Sequence, residues 1–358
     1  MSDTQTLVAE TTSHSDRRRR RFEGAPFIVI WEVTRACDLA CLHCRAEAVS
    51  DRHPLELSLE EGKGLIDQVA EFGHPLFVLT GGDPLKRNDI FDLVAHAKAR
   101  GLHPALAPSA TPLVTPEALQ KLKTAGLSRL AFSLDGSTPD LHDAFRRVPG
   151  AYYRTLEAIG DAQAIGLPVQ INTTMTHYNL DDFDNLVERV QQLNTALWSV
   201  FFLVQTGRGQ SEDDLTPDEY EGLFHRLADL ARDVPFPIKT TEAPAYRRVV
   251  VQQRQNLPGG PPPQGRVKTG VGDGRGFVFI SHTGDVNPSG FLPLSAGNIR
   301  TSSLSELYRN APLFKELRDV DALKGKCGRC EYRAICGGSR ARAYAFTGDY
   351  MESDPSCT

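Results

Sequence analysis

At 358 residues the chain exceeds one typical domain, which predicts one large α/β domain with a smaller one, or two of similar size. Forty per cent apolar residues suffice for a sizeable core, and a formal net charge of −5 excludes a chain built as a whole to wrap nucleic acid. No apolar run reaches the length of a transmembrane helix, so no membrane partner is expected.

Met1 to Ser15 is polar and unpatterned, and Arg17 to Arg21 form a run of five arginines. A twin-arginine export signal needs a longer apolar region than Phe27–Trp31, so residues 1–24 read as a disordered polar and basic tail. The seven cysteines cluster at the two ends of the chain. That is not a secreted disulfide framework; it suits reduced thiolates that serve a metal in the cytoplasm.

The strand Phe27–Trp31 leads into Cys37-x3-Cys41-x2-Cys44. Three thiolates on one short loop suit three irons of a 4Fe–4S cubane, since thiolate is the soft ligand such clusters select. The fourth iron is then open, and an open coordination position marks a catalytic site rather than a structural one. Taken alone, the triplet is equally a partial zinc site or a set of unrelated buried thiols.

Ser58-Leu-Glu-Glu61 reads as a capping box opening a helix, and the strand Leu76–Leu79 ends at Thr80-Gly-Gly-Asp-Pro84. Then follow a helix (Asn88–Ala99), a strand (His103–Ala107), a helix capped by Thr115 (Pro116–Thr124) and a strand (Arg129–Leu134). A helix (Tyr152–Ile165), a strand (Pro168–Thr174), a helix (Leu180–Leu193) and a strand (Trp198–Val204) continue the series. About six alternations of strand and helix mark parallel βα units. A barrel or partial barrel places its chemistry at the C-terminal strand ends; a doubly wound sheet fits the pattern almost as well.

Residues 216–275 read as a connection: a helix (Pro217–Asp233), a strand candidate around Ile238 and a Pro- and Gly-rich loop from Gln255 to Gly276. Gly276–Ser281 and Val286-Asn287 read as a hairpin, followed by short helices at Leu304–Arg309 and Ala311–Leu317. Cys327-x2-Cys330-x5-Cys336-x20-Cys357 closes the chain. Four cysteines can complete one 4Fe–4S cluster or one tetrahedral zinc site.

The run Cys37, Cys41, Cys44 resembles the signature of the radical S-adenosylmethionine (SAM) enzymes, in which SAM chelates the open iron. Thr80-Gly81-Gly82-Asp83-Pro84 resembles that family's Gly-Gly-Glu-Pro motif, which holds the SAM amino group. Asp83 is one methylene shorter than the family's Glu, so the contact is expected through Asp83, the Gly82 backbone or a water. Ser133-Leu-Asp135-Gly136 resembles the segment that contacts the SAM ribose and carboxylate, which implies Ser133 and Asp135 as side-chain contacts. Asn172-Thr-Thr174 ends the next strand and is a further candidate for the same cavity. His43 fills a position that is usually aromatic and is expected to pack rather than ligate.

The stretch from Cys336-Gly-Gly to Asp354-Pro-Ser-Cys357 resembles the C-terminal cluster domain of the SPASM or twitch type. Within that group it looks most like enzymes that remodel tetrapyrroles, such as the coprohaem decarboxylase, a likeness shared by Thr206-Gly-Arg-Gly209 and Asn287–Pro293. Ser289 and Ser339 stand where many such domains carry further cysteines, so one auxiliary cluster is expected, held by Cys327, Cys330, Cys336 and Cys357. Arg208, Arg247, Arg248, Arg340 and Arg342 are candidates for substrate carboxylates, against the plainer expectation of solvated arginines on helix faces.

The resemblance thus implies an α/β fold: a partial (β/α)6 TIM-like barrel over 25–215, with a small C-terminal iron–sulfur domain over 276–358. It implies a catalytic 4Fe–4S cluster, an auxiliary 4Fe–4S cluster, SAM, and an electron donor such as flavodoxin or ferredoxin. The implied substrate is a tetrapyrrole haem precursor, with a ribosomal peptide as the alternative. A non-catalytic iron–sulfur carrier or a zinc-binding module is the reading from another class. No residue is singled out as catalytic.

Overall fold

The computed structural model describes residues 22–210, 213–255 and 270–358. The arginine run at 17–21 and most of the Pro- and Gly-rich loop, at 256–269, lie outside the described residues. Phe22, expected in the tail, is buried: its ring packs at Gly276 and its carbonyl accepts from Tyr308 Oη at 2.6 Å.

Parallel strands β1 (Ile28–Thr34), β2 (Leu76–Gly81), β3 (His103–Leu106), β4 (Arg129–Ser133), β5 (Val169–Met175), β6 (Leu197–Phe202) and β7 (Ile238–Thr241) lie side by side in chain order. β8 (Phe277–Ile280) pairs in parallel with the other side of β1, and β9 (Val286–Asn287) returns antiparallel. A doubly wound sheet reverses its strand order at a switch point. The run from β7 to β1 has no reversal, so the partial barrel is the architecture formed. The strand candidate at Ile238 is its seventh parallel strand. The sheet curls: β7 and β8 stand on opposite sides of it, yet Lys239, Thr241 and Phe277 line one cavity.

Helices α1 (Leu59–Ala70), α2 (Ile90–Ala99), α3 (Pro116–Thr124), α4 (Pro139–Arg146), α5 (Ala151–Ala164), α6 (Phe183–Gln192), α7 (Pro217–Asp233) and α8 (Ala245–Gln255) belong to the crossovers. The Ser58–Glu61 capping box forms, and Thr115, Thr138 and Thr216 each cap a helix that starts with proline. Strand alternation sends Trp31, Phe77, Phe132 and Trp198 under these helices, fully buried. Each such side chain contributes about 1.5–3 kcal/mol on burial. Gly62 of α1 leaves room for the Trp31 indole, which a Cβ there would meet at 2.6 Å.

The opposite face of the sheet carries small or polar residues, among them Ala105, Ala107, Ala131, Ser133, Asn172 and Ser199, and most of them are only half-buried. The inside of the curl is therefore the open face.

The C-terminal part adds α9 (Leu304–Asn310), α10 (Pro312–Arg318), α11 (Gly325–Arg329) and α12 (Arg340–Thr347). Tyr308 and Phe314 join the main core. The arginines of α12 are neither solvated nor free for a substrate. Arg342 is 1 % exposed, pairs with Asp354, donates to Leu203 O at 2.9 Å and lies over the Tyr220 ring. Arg340 is also buried and donates to the carbonyls of Tyr350 and Glu352.

Candidate active site

The cysteine loop leaves β1 and is fixed by backbone contacts from several directions. Cys37 N–H donates to Val49 O at 2.8 Å, and Leu42 N–H donates to Phe145 O at the end of α4 at 3.1 Å. Gly82 and Asp83 donate to Thr34 O at 2.9 Å and Ala36 O at 2.7 Å. This explains the paired glycines: a Cβ on Gly81 would meet Thr34 O at 2.3 Å, and one on Gly82 would meet Ala36 O at 2.4 Å. Their first task is close approach to the cysteine loop. Gly207, at φ +60°, does the same from the far side, packed on the carbonyls of Cys44 and Arg45. Arg208, a candidate for substrate carboxylate, instead donates through Nε to Cys41 O at 3.0 Å and through its backbone N–H to Cys44 O at 3.0 Å. The Thr206–Gly209 segment is thus a brace for the cysteine loop.

All seven cysteines are free thiols. Cys37, Cys41 and Cys44 line a cavity of about 230 Å³ at the C-terminal ends of β2 to β6. Thr80, Gly81 and Gly82 of β2, Ser109 after β3, Ser133 of β4, Asn172 and Thr174 of β5, and Phe201 of β6 contribute to its wall. Ser133 and Asn172 thus line the same cavity as the three thiols.

Asp83 and Asp135 do not line this cavity. Asp83 is fully buried; its carboxylate accepts from Thr111 Oγ1 at 2.7 Å and from Leu85 N–H at 3.1 Å. Burial raises its pKa despite those bonds. Asp135 pairs with Arg146 and accepts from Thr174 N–H at 2.7 Å. Both acids support the wall, and the Gly81-Gly82 backbone meets the cavity.

Sequence reasoning missed Arg146 and Ser109. Arg146 bridges Asp135 and the Cys41 Sγ, the latter at 3.5 Å. Ser109 Oγ donates to Gly82 O at 2.9 Å and stands 3.3 Å from Cys37 Sγ. Ser109 follows the end of β3, a position the barrel rule already marks. His43 stacks on Phe145 with centroids 4.3 Å apart, and burial followed by the Arg146 charge holds it neutral, well below the usual histidine range.

The donor set fits a cluster at the three thiols. Leu39 N–H donates to Cys37 Sγ at 3.3 Å, and the buried Arg146 Nε and Arg208 Nη2 have no hydrogen-bond partner. Cationic donors around three thiolates offset their charge. Among the described residues no three His, Cys, Asp or Glu side chains are gathered as for a single metal ion. A cubane attaches each thiolate to its own iron and so holds its ligands wider apart than one zinc ion does.

The second group, Cys327, Cys330, Cys336 and Cys357, lines a smaller cavity of about 120 Å³. Backbone N–H groups of Asp354, Tyr332 and Gly338 each donate to one of its sulfurs, Cys327, Cys330 and Cys336, all at 3.4 Å. Arg340 Nη2 reaches Cys327 Sγ at 3.5 Å. Burial pushes the Cys336 thiol up to about 12, so a metal must displace its proton on binding. Ser339, which stands where many SPASM-type domains carry a further cysteine, caps α12 and donates to Glu242 Oε2 at 2.6 Å; Ser289 accepts from Phe291 N–H at 3.1 Å.

The model of the radical SAM superfamily matches residues 31–190. A protein of Methanosarcina barkeri named AdoMet-dependent heme synthase is 42% identical over 345 residues, which cover 93% of this chain and 97% of that one. The chain belongs to the radical SAM superfamily. A second AdoMet-dependent heme synthase, from Nitratidesulfovibrio vulgaris, is 39% identical and covers 98% of this chain and 97% of its own. The crystal structure of Streptococcus suis SuiB bound to S-adenosylmethionine shares the fold, with a TM-score of 0.75 at 16% identity over 94% of this chain and 78% of that one. This radical SAM protein is an enzyme whose family implies a 4Fe–4S cluster and SAM, and its near relatives are named for haem synthesis.

Proposed function

We propose that this radical SAM enzyme acts on a haem precursor and removes or alters a carboxylate-bearing side chain. The observation that carries the reading is the Cys37–Cys41–Cys44 triad opening on a cavity at the strand ends, in a chain 42% identical to a named heme synthase. With its cluster and SAM bound, the family's chemistry supplies a 5′-deoxyadenosyl radical that takes a hydrogen atom from the substrate. The residues of this chain bind, orient and exclude water. Cys37, Cys41 and Cys44 hold the cluster, Gly81, Gly82 and Ser133 receive SAM, and Asp83 and Asp135 keep the wall in place. Ala105, Ala107 and Ala131 leave room inside the curl for a flat macrocycle, and Phe201 with Phe291 gives it an apolar wall.

Cys327, Cys330, Cys336 and Cys357 hold a second 4Fe–4S cluster in this reading, so the loaded chain carries about eight irons and eight sulfides. A small reducing protein of the flavodoxin or ferredoxin class supplies electrons, in the cytoplasm, where thiols stay reduced. No helix among the described residues is long and apolar enough to cross a membrane. Anaerobic incubation of the reconstituted enzyme with SAM, dithionite and coprohaem tests the reading. A tetrapyrrole product lighter by the lost carboxyl groups supports it; coprohaem of unchanged mass, with SAM cleaved, overturns the substrate assignment.

A further inference from the structure

Arginines from three separate segments converge on the second cysteine group. Arg340 opens α12, Arg247 lies on α8 and Arg275 stands just before β8. Arg340 is 4 % exposed and Arg275 6 %; Arg247 is half-buried. Arg340 Nη2 lies 3.5 Å from Cys327 Sγ, and its Nη1 donates to the carbonyls of Tyr350 and Glu352. Arg275 donates to Cys336 O at 3.1 Å, and Arg247 donates to Ile335 O, the carbonyl before it, at 3.3 Å. Gly338, at φ +65°, leaves the space for this approach: a Cβ there would meet Arg340 Nη2 at 2.3 Å and Cys327 Sγ at 3.0 Å.

Among the described residues no carboxylate pairs with any of these three guanidiniums; their partners are backbone carbonyls and one sulfur. The nearby acids are engaged elsewhere. Asp354 pairs with Arg342, and Asp273 accepts from the backbone N–H groups of Arg340 and Ala341. Burial, then the Asp273 charge, raises Glu242 well above the carboxylate range, which favours its neutral form. Burial, then the Arg247 charge, lowers Arg275 to about 10, so the cations crowd one another. The first group differs: Arg146 also reaches a sulfur there, but it is paired with Asp135.

Buried cations without a counter-charge are costly unless an anion joins them. Four thiolates around a 4Fe–4S core form such an anion, and one-electron reduction adds a further negative charge. Positive charge and N–H groups aimed at the sulfurs favour the reduced form, the more so where water is excluded. We propose that Arg340 and Arg275, assisted by Arg247, raise the reduction potential of a cluster held by the second cysteine group and so poise it to take up an electron. This rests on the reading that Cys327, Cys330, Cys336 and Cys357 hold a 4Fe–4S cluster, and it gives that cluster its tuning residues. The step is a one-electron reduction of the cluster in which no bond to its four sulfur ligands breaks.

The test is a dithionite redox titration, followed by electron paramagnetic resonance, of the full chain carrying Cys41→Ala, so that the signal belongs to the second group. About four irons and four sulfides per chain are expected there. Adding Arg340→Gln is expected to lower the midpoint, so that the reduced-to-oxidised ratio at a fixed potential falls at least tenfold, about 59 mV for one electron. Arg275→Gln shifts it in the same direction, and Arg340→Lys, which keeps the charge, shifts it less than Arg340→Gln. Unchanged iron content and circular dichroism show that the variants fold; where Arg340→Gln loses its cluster, Arg275→Gln carries the test. A midpoint unmoved or raised in the glutamine variants, with iron retained, overturns the tuning and leaves the cluster reading standing. Zinc without sulfide in the Cys41→Ala chain overturns that reading, and the tuning with it.

Discussion

The two cysteine groups of this chain differ in what they leave open. Cys37, Cys41 and Cys44 sit on a loop braced by Gly81, Gly82, Phe145 and Arg208, and they face a cavity of about 230 Å³ at the strand ends. Cys327, Cys330, Cys336 and Cys357 enclose about half that volume, and N–H donors already point at three of the four sulfurs. Three ligands beside open space suit binding and reaction, while four ligands in a closed shell suit storage or transfer of an electron. With both groups holding clusters, as proposed, one chain would use the same ligand type for two ends by varying ligand count and the space around it.

The sharpest way to break this comparison is to remove one ligand from each group. Cys41→Ala is expected to abolish reductive SAM cleavage, measured as 5′-deoxyadenosine, and to lower bound iron by about half. Cys330→Ala is expected to lower iron by a similar amount while SAM cleavage persists and tetrapyrrole conversion falls about tenfold or more. Equal loss of SAM cleavage in both variants would erase the functional difference between the sites.

The next effect is on stability. Arg342 ties α12 to Leu203 O just past β6 and to Asp354 near the second cysteine group. Arg342→Met removes the cation beside the buried Asp354 carboxylate, which keeps only its Ser339 and Ser356 hydrogen bonds, and a loss of about 3 kcal/mol is expected from thermal or denaturant unfolding. A loss below 1 kcal/mol would show that the two regions are less coupled than the contacts imply.

A smaller effect distinguishes the regions by pH. His142, beside the first group, accepts from Asp135 N–H at 3.1 Å and is held down to about 3 by burial and then the Arg146 charge. Unfolding frees it to take up a proton near its ordinary pKa of about 6.5. The unfolded state therefore binds the extra proton between pH 6.5 and 3, and stability falls as pH falls through that window. His142→Gln is expected to flatten that slope by up to about 1.4 kcal/mol per pH unit. An unchanged slope, followed by the melting midpoint from pH 7 to 5, contradicts the assignment.

Much of this was legible in the sequence, because the signals are local. The barrel strands, the Ser58 capping box and the helices opened by Thr115-Pro116 and Thr216-Pro217 depend on neighbours a few residues apart. Thr138-Pro139 carries the same signal and opens α4. What the sequence hid are partners far along the chain. Nothing near Arg342 announces that Leu203 O and Asp354 will bury it. Nothing near Gly82 shows that the carbonyls of Arg35 and Ala36 forbid a side chain there. The family resemblance points to Asp83 and Asp135 as SAM contacts; in the fold their carboxylates turn to Thr111 and Arg146, partners distant in sequence, while neighbouring residues line the cavity.

The most direct measurement is 5′-deoxyadenosine formation by the anaerobically reconstituted, dithionite-reduced enzyme, with and without coprohaem. Coprohaem is expected to raise the yield in step with its own conversion, and Cys41→Ala to abolish both. SAM cleavage that ignores every tetrapyrrole offered, or that survives in Cys41→Ala, would contradict this expectation.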